Sequence, residues 1–294
     1  MPTLRALALA SLLPLALACG GADTTADTTA DTPAAGSATT ARTGGPALAR
    51  WTSDGTAYGM FVPSERDPAE RDSAGNRLPP LYTEAGARAL ASDSLLDYLF
   101  LNLEGAYDED AVRTLVAGRD AGTHGPTLLV RIPTIEAAGA DSTRARVARV
   151  LALGADGVVI PHVRSAEEAE LAVSFFEGAN VWSPANPSGT VIAMLMVEDR
   201  GAVAALDAIA NVPGYSLLSC GIGSLTRDMD GDREGAEAAC LRAREAASAK
   251  GMPSMMTANA ESLADRLAKG YRGILLSGTQ AQAGEVIVAG RGAR

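Results

Sequence analysis

The stretch that decides the fold is GADGVVIPHV, residues 154–163, followed by SAEEA at 165–169. Val158, Val159 and Ile160 form an unbroken apolar run, so a strand here is buried on both faces, as in a parallel sheet covered by helices. An alanine-rich amphipathic run follows it, giving a strand–helix unit.

The same alternation extends in both directions. Short apolar runs predict strands at 58–62, 98–103, 127–132, 157–161, 191–197, 215–220, 253–256 and 273–276. Amphipathic runs predict helices at 84–91, 110–119, 142–153, 166–176, 202–209, 234–249 and 262–269, with a short tail at 281–288 able to cover the last strand. The proline- and charge-rich segment 63–80 and the segment 178–189 read as loops. Eight strands, each followed by a helix or helix-like run, predict an α/β fold: a single (β/α)8 TIM barrel over residues 47–294. No G-x-G-x-x-G follows the first strand, which counts against a doubly wound dinucleotide fold.

Composition agrees. Hydrophobic residues make up 47% of the chain and aromatic residues only 4%, so the core is built from Ala, Leu, Val and Ile. The net charge is −10 and no Lys/Arg run occurs, which argues against a nucleic-acid partner.

The N-terminus reads as a targeting segment. Arg5 precedes an apolar run, residues 6–17, that is too short to span a bilayer and fits a signal peptide over residues 1–18. Ala16-Leu17-Ala18 before Cys19 fits either ordinary signal-peptidase cleavage or a lipoprotein box with Ala16 in place of the usual leucine. The polar Ala-Asp-Thr-Thr repeat behind Cys19 favours the second: a lipidated Cys19 on a low-complexity tether, residues 19–46. The expectation is an exported protein of the periplasm or cell envelope, anchored to the membrane by that lipid. Cys220 and Cys240 could pair in such a compartment, or one could sit in a strand and the other on a helix face.

In a TIM barrel, chemistry gathers at the C-terminal ends of the strands. The residues expected there are Asn102, Glu104, Arg131, His162, Glu198, Asp199, Asn259, Thr279 and residues 221–224. Arg131 closes an apolar strand and is suited to hold a carboxylate or enolate oxygen. Glu198 closes Met194-Leu195-Met196-Val197, as a hard-metal ligand or as a helix-start carboxylate. Gly221 and Gly223 would let backbone approach a ligand, with Ser224 beside them. His162 reads as a base, a ligand or a satisfied rim histidine. Trp182 would line a pocket or cap the barrel. Asp228, Asp230 and Asp232 have calcium-loop spacing, but Arg233 stands where such a loop needs glycine, so a solvated helix start is expected.

In order, the segments 99–106, 128–133, 154–169, 197–206 and 213–225 resemble the HpcH/HpaI aldolase/citrate lyase family, with 154–169 the most specific. The resemblance covers about residues 58–278. It implies a metal-dependent carbon–carbon lyase acting next to an oxo-acid carbonyl, with a small 2-oxo acid or carboxylate as ligand and an oligomer possible. Arg131 falls on the family's enolate-stabilising arginine and Glu198 on its metal-ligand glutamate. Glu104 falls on the acid before the catalytic histidine. The histidine itself is Gly105 here, and its supporting aspartate is Ala152. Met196 replaces a substrate-binding glutamine, and Ser224 the second metal carboxylate. A divergent lyase follows, with Mg²⁺ or Mn²⁺ held weakly. The alternative is an exported lipoprotein without catalysis that binds a small carboxylate or serves as a scaffold.

Overall fold

The computed structural model describes residues 44–292; the segment read as a signal peptide, Cys19 and the low-complexity repeat behind it lie outside them. The chain begins with α1 (Gly45–Thr52), β1 (Ala57–Phe61), α2 (Glu84–Ala91), β2 (Tyr98–Asn102), α3 (Glu109–Asp120) and β3 (Thr127–Arg131). It continues through α4 (Ile135–Ala138), α5 (Ala140–Ala152), β4 (Gly157–Ile160), α6 (Ala166–Ser174) and β5 (Ile192–Val197). Then come α7 (Arg200–Ala204), α8 (Leu206–Asn211), β6 (Leu217–Cys220), α9 (Ile222–Asp228) and α10 (Arg233–Ala249). It ends with β7 (Met255–Ala258), α11 (Leu263–Ala268), β8 (Gly273–Leu276) and α12 (Gln280–Gly292).

The strands form one parallel sheet in the order β6-β5-β4-β3-β2-β1-β8-β7. It is a nearly closed barrel. No backbone ladder joins β6 to β7 among the described residues, but the Ser219 hydroxyl donates to the Met255 carbonyl across that seam at 3.1 Å. The eight predicted strands are all present, with ends shifted by a few residues at β6 and β7.

Alternation along the strands sorts the core into two shells. Met60, Leu99, Leu101, Val130, Val158, Ile160 and Leu195 face outward and pack with the helices. Phe100, Leu129, Val159, Met194, Met196, Leu217 and Leu275 fill the barrel interior. At β3 and β5 the inward row continues to Arg131 and Glu198, so strand parity aims both polar groups into the mouth.

The opposite end is plugged by α1, for which the sequence reading offered no element. Ala47, Leu48 and Trp51 join the interior cluster, and the Trp51 indole N–H donates to the Arg272 carbonyl at 2.9 Å. Thr127 Oγ1 accepts from the Ala47 amide and donates to the Gly44 carbonyl. Trp182, buried in the same cluster, caps the barrel from the side of β5.

Three further details differ from the sequence expectation. The helix expected at 202–209 is two pieces, α7 and α8, joined at Ala205; α4 and α9 are extra short helices at the mouth; and the tail is a full helix, α12. Cys220 and Cys240 form a disulfide, tying the end of β6 to α10 with their Cα atoms 5.4 Å apart. Among the described residues no helix is long and apolar enough to cross a membrane.

Candidate functional site

Four side chains from four strand ends converge at the mouth. Arg131 leaves β3 and Glu198 follows β5, both on the inward parity. Glu104 lies two residues beyond β2, and His162 two beyond β4. Strand alternation would turn His162 outward with Ile160. Instead it takes a left-handed backbone conformation, φ 54°, which swings the imidazole into the mouth. Such a conformation is uncommon for a side chain other than glycine and clusters at functional positions.

The resulting arrangement is a closed square of charge. Each carboxylate gives one oxygen to Arg131 and turns the other toward His162. Glu104 Oε2 accepts from Arg131 Nη2, and Glu104 Oε1 lies 3.2 Å from His162 Nε2. Glu198 Oε1 lies 3.5 Å from Arg131 Nη1, and Glu198 Oε2 is 3.6 Å from His162 Nε2. Asn102 Oδ1 accepts from Arg131 Nε at 2.9 Å and fixes the guanidinium plane.

The environment makes the two acids unequal. The hydrogen bond from His162, helped by the Arg131 charge and opposed by partial burial, holds Glu104 below the ordinary glutamate range. His162 is raised above its ordinary 6.5, first by its bond to Glu104 and then by the surrounding carboxylates, against the effect of burial. Burial pushes Glu198 up, and Arg131 and His162 offset this only in part. Glu198 is 2% exposed, and its Oε2 is buried without a hydrogen-bond partner. An unsatisfied buried oxygen of this kind costs about 1–3 kcal/mol or more, which favours a site that gains a cation or a donor from a ligand.

Glu198 does not serve as the helix-start carboxylate. Its neighbour Asp199 does, accepting from the Ala202 amide at 2.9 Å while holding Arg164 Nε at 2.9 Å. Gly221 is required by close approach: a Cβ there would lie 2.0 Å from Glu198 Oε1. Its own amide already donates to the Val197 carbonyl, so the backbone donor expected there is engaged. Gly223 and Ser224 sit in the first turn of α9, and Ser224 Oγ accepts from Arg227 Nη2 at 3.1 Å. A cavity of ≈ 340 Å³ is lined by Arg131, Met196, Glu198, Gly221, Gly223 and Ser224 among others. A second, of ≈ 750 Å³, shares Glu198 and Ser224 and adds Glu104, His162 and Asp199.

The residues fit a divalent ion better than the sequence suggested. Counting Glu198 alone gives one protein carboxylate; the fold adds Glu104 and His162. One ligand atom from each of the three lies within 4.8 Å of the others. Of the remaining candidates, Asn259 binds Ser262 at the start of α11, and the Thr279 hydroxyl caps α12 through Gln282. Asp228 accepts from the Arg200 amide, Asp230 pairs with Arg200, and Asp232 caps α10, as expected of a solvated helix start. At Gly105 a Cβ would meet nothing within 4 Å, so the position opens onto free space.

Known proteins place this barrel. No curated protein matches the chain. Among solved structures, an HpcH/HpaI aldolase/citrate lyase family protein from Burkholderia cenocepacia J2315 is 21% identical over 84% of this chain and 96% of its own, with a TM-score of 0.61. An HpcH/HpaI aldolase from Desulfitobacterium hafniense DCB-2 is 23% identical over 83% and 95%, with a TM-score of 0.59. A citrate lyase beta subunit from M. tuberculosis, complexed with oxaloacetate and magnesium, is 19% identical over 82% and 99%, with a TM-score of 0.50. At these identities the likeness establishes the fold. The HpcH/HpaI aldolase/citrate lyase family model matches residues 85–276, well over half of the sequence, and the chain therefore belongs to that family.

Proposed function

We propose that the protein is a divergent carbon–carbon lyase of aldolase type acting on a small 2-oxo acid or hydroxy acid at the barrel mouth. The observation that carries this reading is the convergence of Arg131, Glu104, Glu198 and His162 around shared cavities. Arg131, fixed by Asn102, binds the carboxylate or the enolate oxygen that forms as the bond breaks. Glu198, with its neighbours, would hold a divalent ion, which when bound supplies positive charge to the oxo-acid oxygens.

In retro-aldol cleavage of a 4-hydroxy-2-oxo acid, the C4 hydroxyl loses a proton and the C3–C4 bond breaks. An aldehyde leaves, and the electron pair passes into an enolate that is protonated at C3. The family's base position is Gly105 and its supporting acid is Ala152, so turnover is expected to fall by roughly the 10²–10⁴-fold that general-base catalysis contributes. The test is pyruvate release from 4-hydroxy-2-oxo acids with Mg²⁺ or Mn²⁺. Slow turnover, raised by Gly105→His with Ala152→Asp, is expected. Turnover in the ordinary range of about 1–10³ per second would overturn the account of a missing base. No release from either protein would favour the non-catalytic carboxylate-binding reading.

Export and lipid anchoring at Cys19 form part of the proposal. The sequence around Cys19 supports it, and so does the Cys220–Cys240 disulfide, a bond that persists in oxidising compartments. Radiolabelled palmitate should enter the expressed protein, and Cys19→Ser should abolish labelling. A labelled, membrane-bound Cys19→Ser protein would contradict it.

A further inference from the structure

We infer that the mouth is a mixed nitrogen–oxygen metal site in which His162 Nε2, Glu104 Oε1 and Glu198 Oε2 bind a borderline transition ion such as Zn²⁺ or Co²⁺ in preference to Mg²⁺. This deepens the function proposed above and rests on it for the substrate, but not for the ligands. The resemblance alone directs attention to Glu198 and to the carboxylate lost at Ser224; the structure supplies a different set.

The two pairs that include His162 already have the spacing such an ion requires, and all three ligand atoms lie within 4.8 Å of one another. Two ligand atoms about 2.0–2.1 Å from a tetrahedral ion stand roughly 3.3–3.4 Å apart. Here His162 Nε2 lies 3.2 Å from Glu104 Oε1 and 3.6 Å from Glu198 Oε2. These are the oxygens turned away from Arg131. An ion replacing the hydrogen on Nε2 would therefore leave the two bonds from Arg131 in place, and Arg131 would orient both carboxylates from behind. Glu198 Oε2, buried and without a hydrogen-bond partner, would gain its missing contact. On the far side of the ring, Asp199 Oδ2 lies 3.9 Å from His162 Nδ1. That is the side from which a carboxylate, directly or through water, fixes the orientation of a metal-binding histidine.

The donor set decides the class of ion. Mg²⁺ favours oxygen ligands in octahedral array and retains much of its water, whereas imidazole suits zinc, copper, iron and nickel. Three protein ligands leave the further position that catalytic zinc sites keep open, and the adjoining cavity has room for a small oxo acid there. The left-handed backbone at His162 has a role on this account: without it the imidazole would follow Ile160 toward the helices.

The experiment is Co²⁺ titration of the purified, untagged full chain, followed by visible absorption and calorimetry. Imidazole NMR supplies a second readout, because the chain has only 2 histidines. One equivalent of Co²⁺ should bind, selectively perturb the His162 resonances, resist millimolar Mg²⁺ and yield to Zn²⁺. His162→Ala and Glu198→Gln should each weaken binding at least about tenfold while unfolding at temperatures near that of the parent; His124→Ala, at the other histidine, in the loop between α3 and β3, should bind normally. Displacement of Co²⁺ by Mg²⁺, or unchanged binding by His162→Ala, would overturn the inference. The two proposals fail separately. Co²⁺ bound through His162 without lyase turnover would leave this site standing and sink the proposed reaction. Mg²⁺-supported turnover by His162→Ala would do the reverse.

Discussion

The two ends of the barrel bury charge in opposite ways. At the end closed by α1, each buried acid is matched. Asp156 Oδ2 accepts from the Leu128 amide at 2.8 Å and from Arg119 Nη1 at 2.7 Å. Asp97 Oδ2 accepts from the Tyr58 amide at 2.9 Å, with Arg50 and Arg291 alongside. At the mouth, Glu198 is equally buried, yet one oxygen has no hydrogen-bond partner, and the histidine facing it sits on a strained backbone. The closed end is organised for stability. The mouth keeps unmet bonding capacity that a ligand would use, which is where stability and activity trade against each other.

The contrast breaks most visibly under substitutions that remove one partner of a buried pair. Arg119→Ala takes the guanidinium from Asp156 at the closed end and should cost about 3–5 kcal/mol, read from urea unfolding. A cost near zero would mean that the closed end is no better matched than the mouth. Glu198→Gln at the mouth should behave differently, changing stability little or raising it by up to about 1 kcal/mol, because a penalised buried carboxylate is removed. A loss comparable to that of Arg119→Ala would show that Glu198 is a structural residue.

These same residues show what the sequence could and could not reveal. The strands were legible because runs such as Val158-Val159-Ile160 are short, β-branched and buried along their whole length, with an amphipathic run behind each. Arg131 and Glu198 stood out because each interrupts an apolar strand at its C-terminal end. The helix α1 was not legible: Gly44, Gly45 and Pro46 continue a low-complexity segment, and the helix is stabilised by contacts with strands far away in sequence. The seven-residue α9, with Gly223 in its first turn, was too short to announce itself. His162 was visible as a candidate, but its direction was not, since period-two alternation turns it away from the site. Only the left-handed turn brings it to Glu104 and Glu198. The Cys220–Cys240 pairing depended on the packing of α10 behind β6, which spacing does not encode.

The central claim is that the mouth is a carboxylate site organised by Arg131. Thermal unfolding of the parent protein and of Arg131→Ala, each with and without oxalate or pyruvate, tests it most directly. The account predicts that the ligand raises the unfolding temperature of the parent in a concentration-dependent way and leaves Arg131→Ala unmoved. Equal stabilisation of both proteins, or of neither, would contradict it.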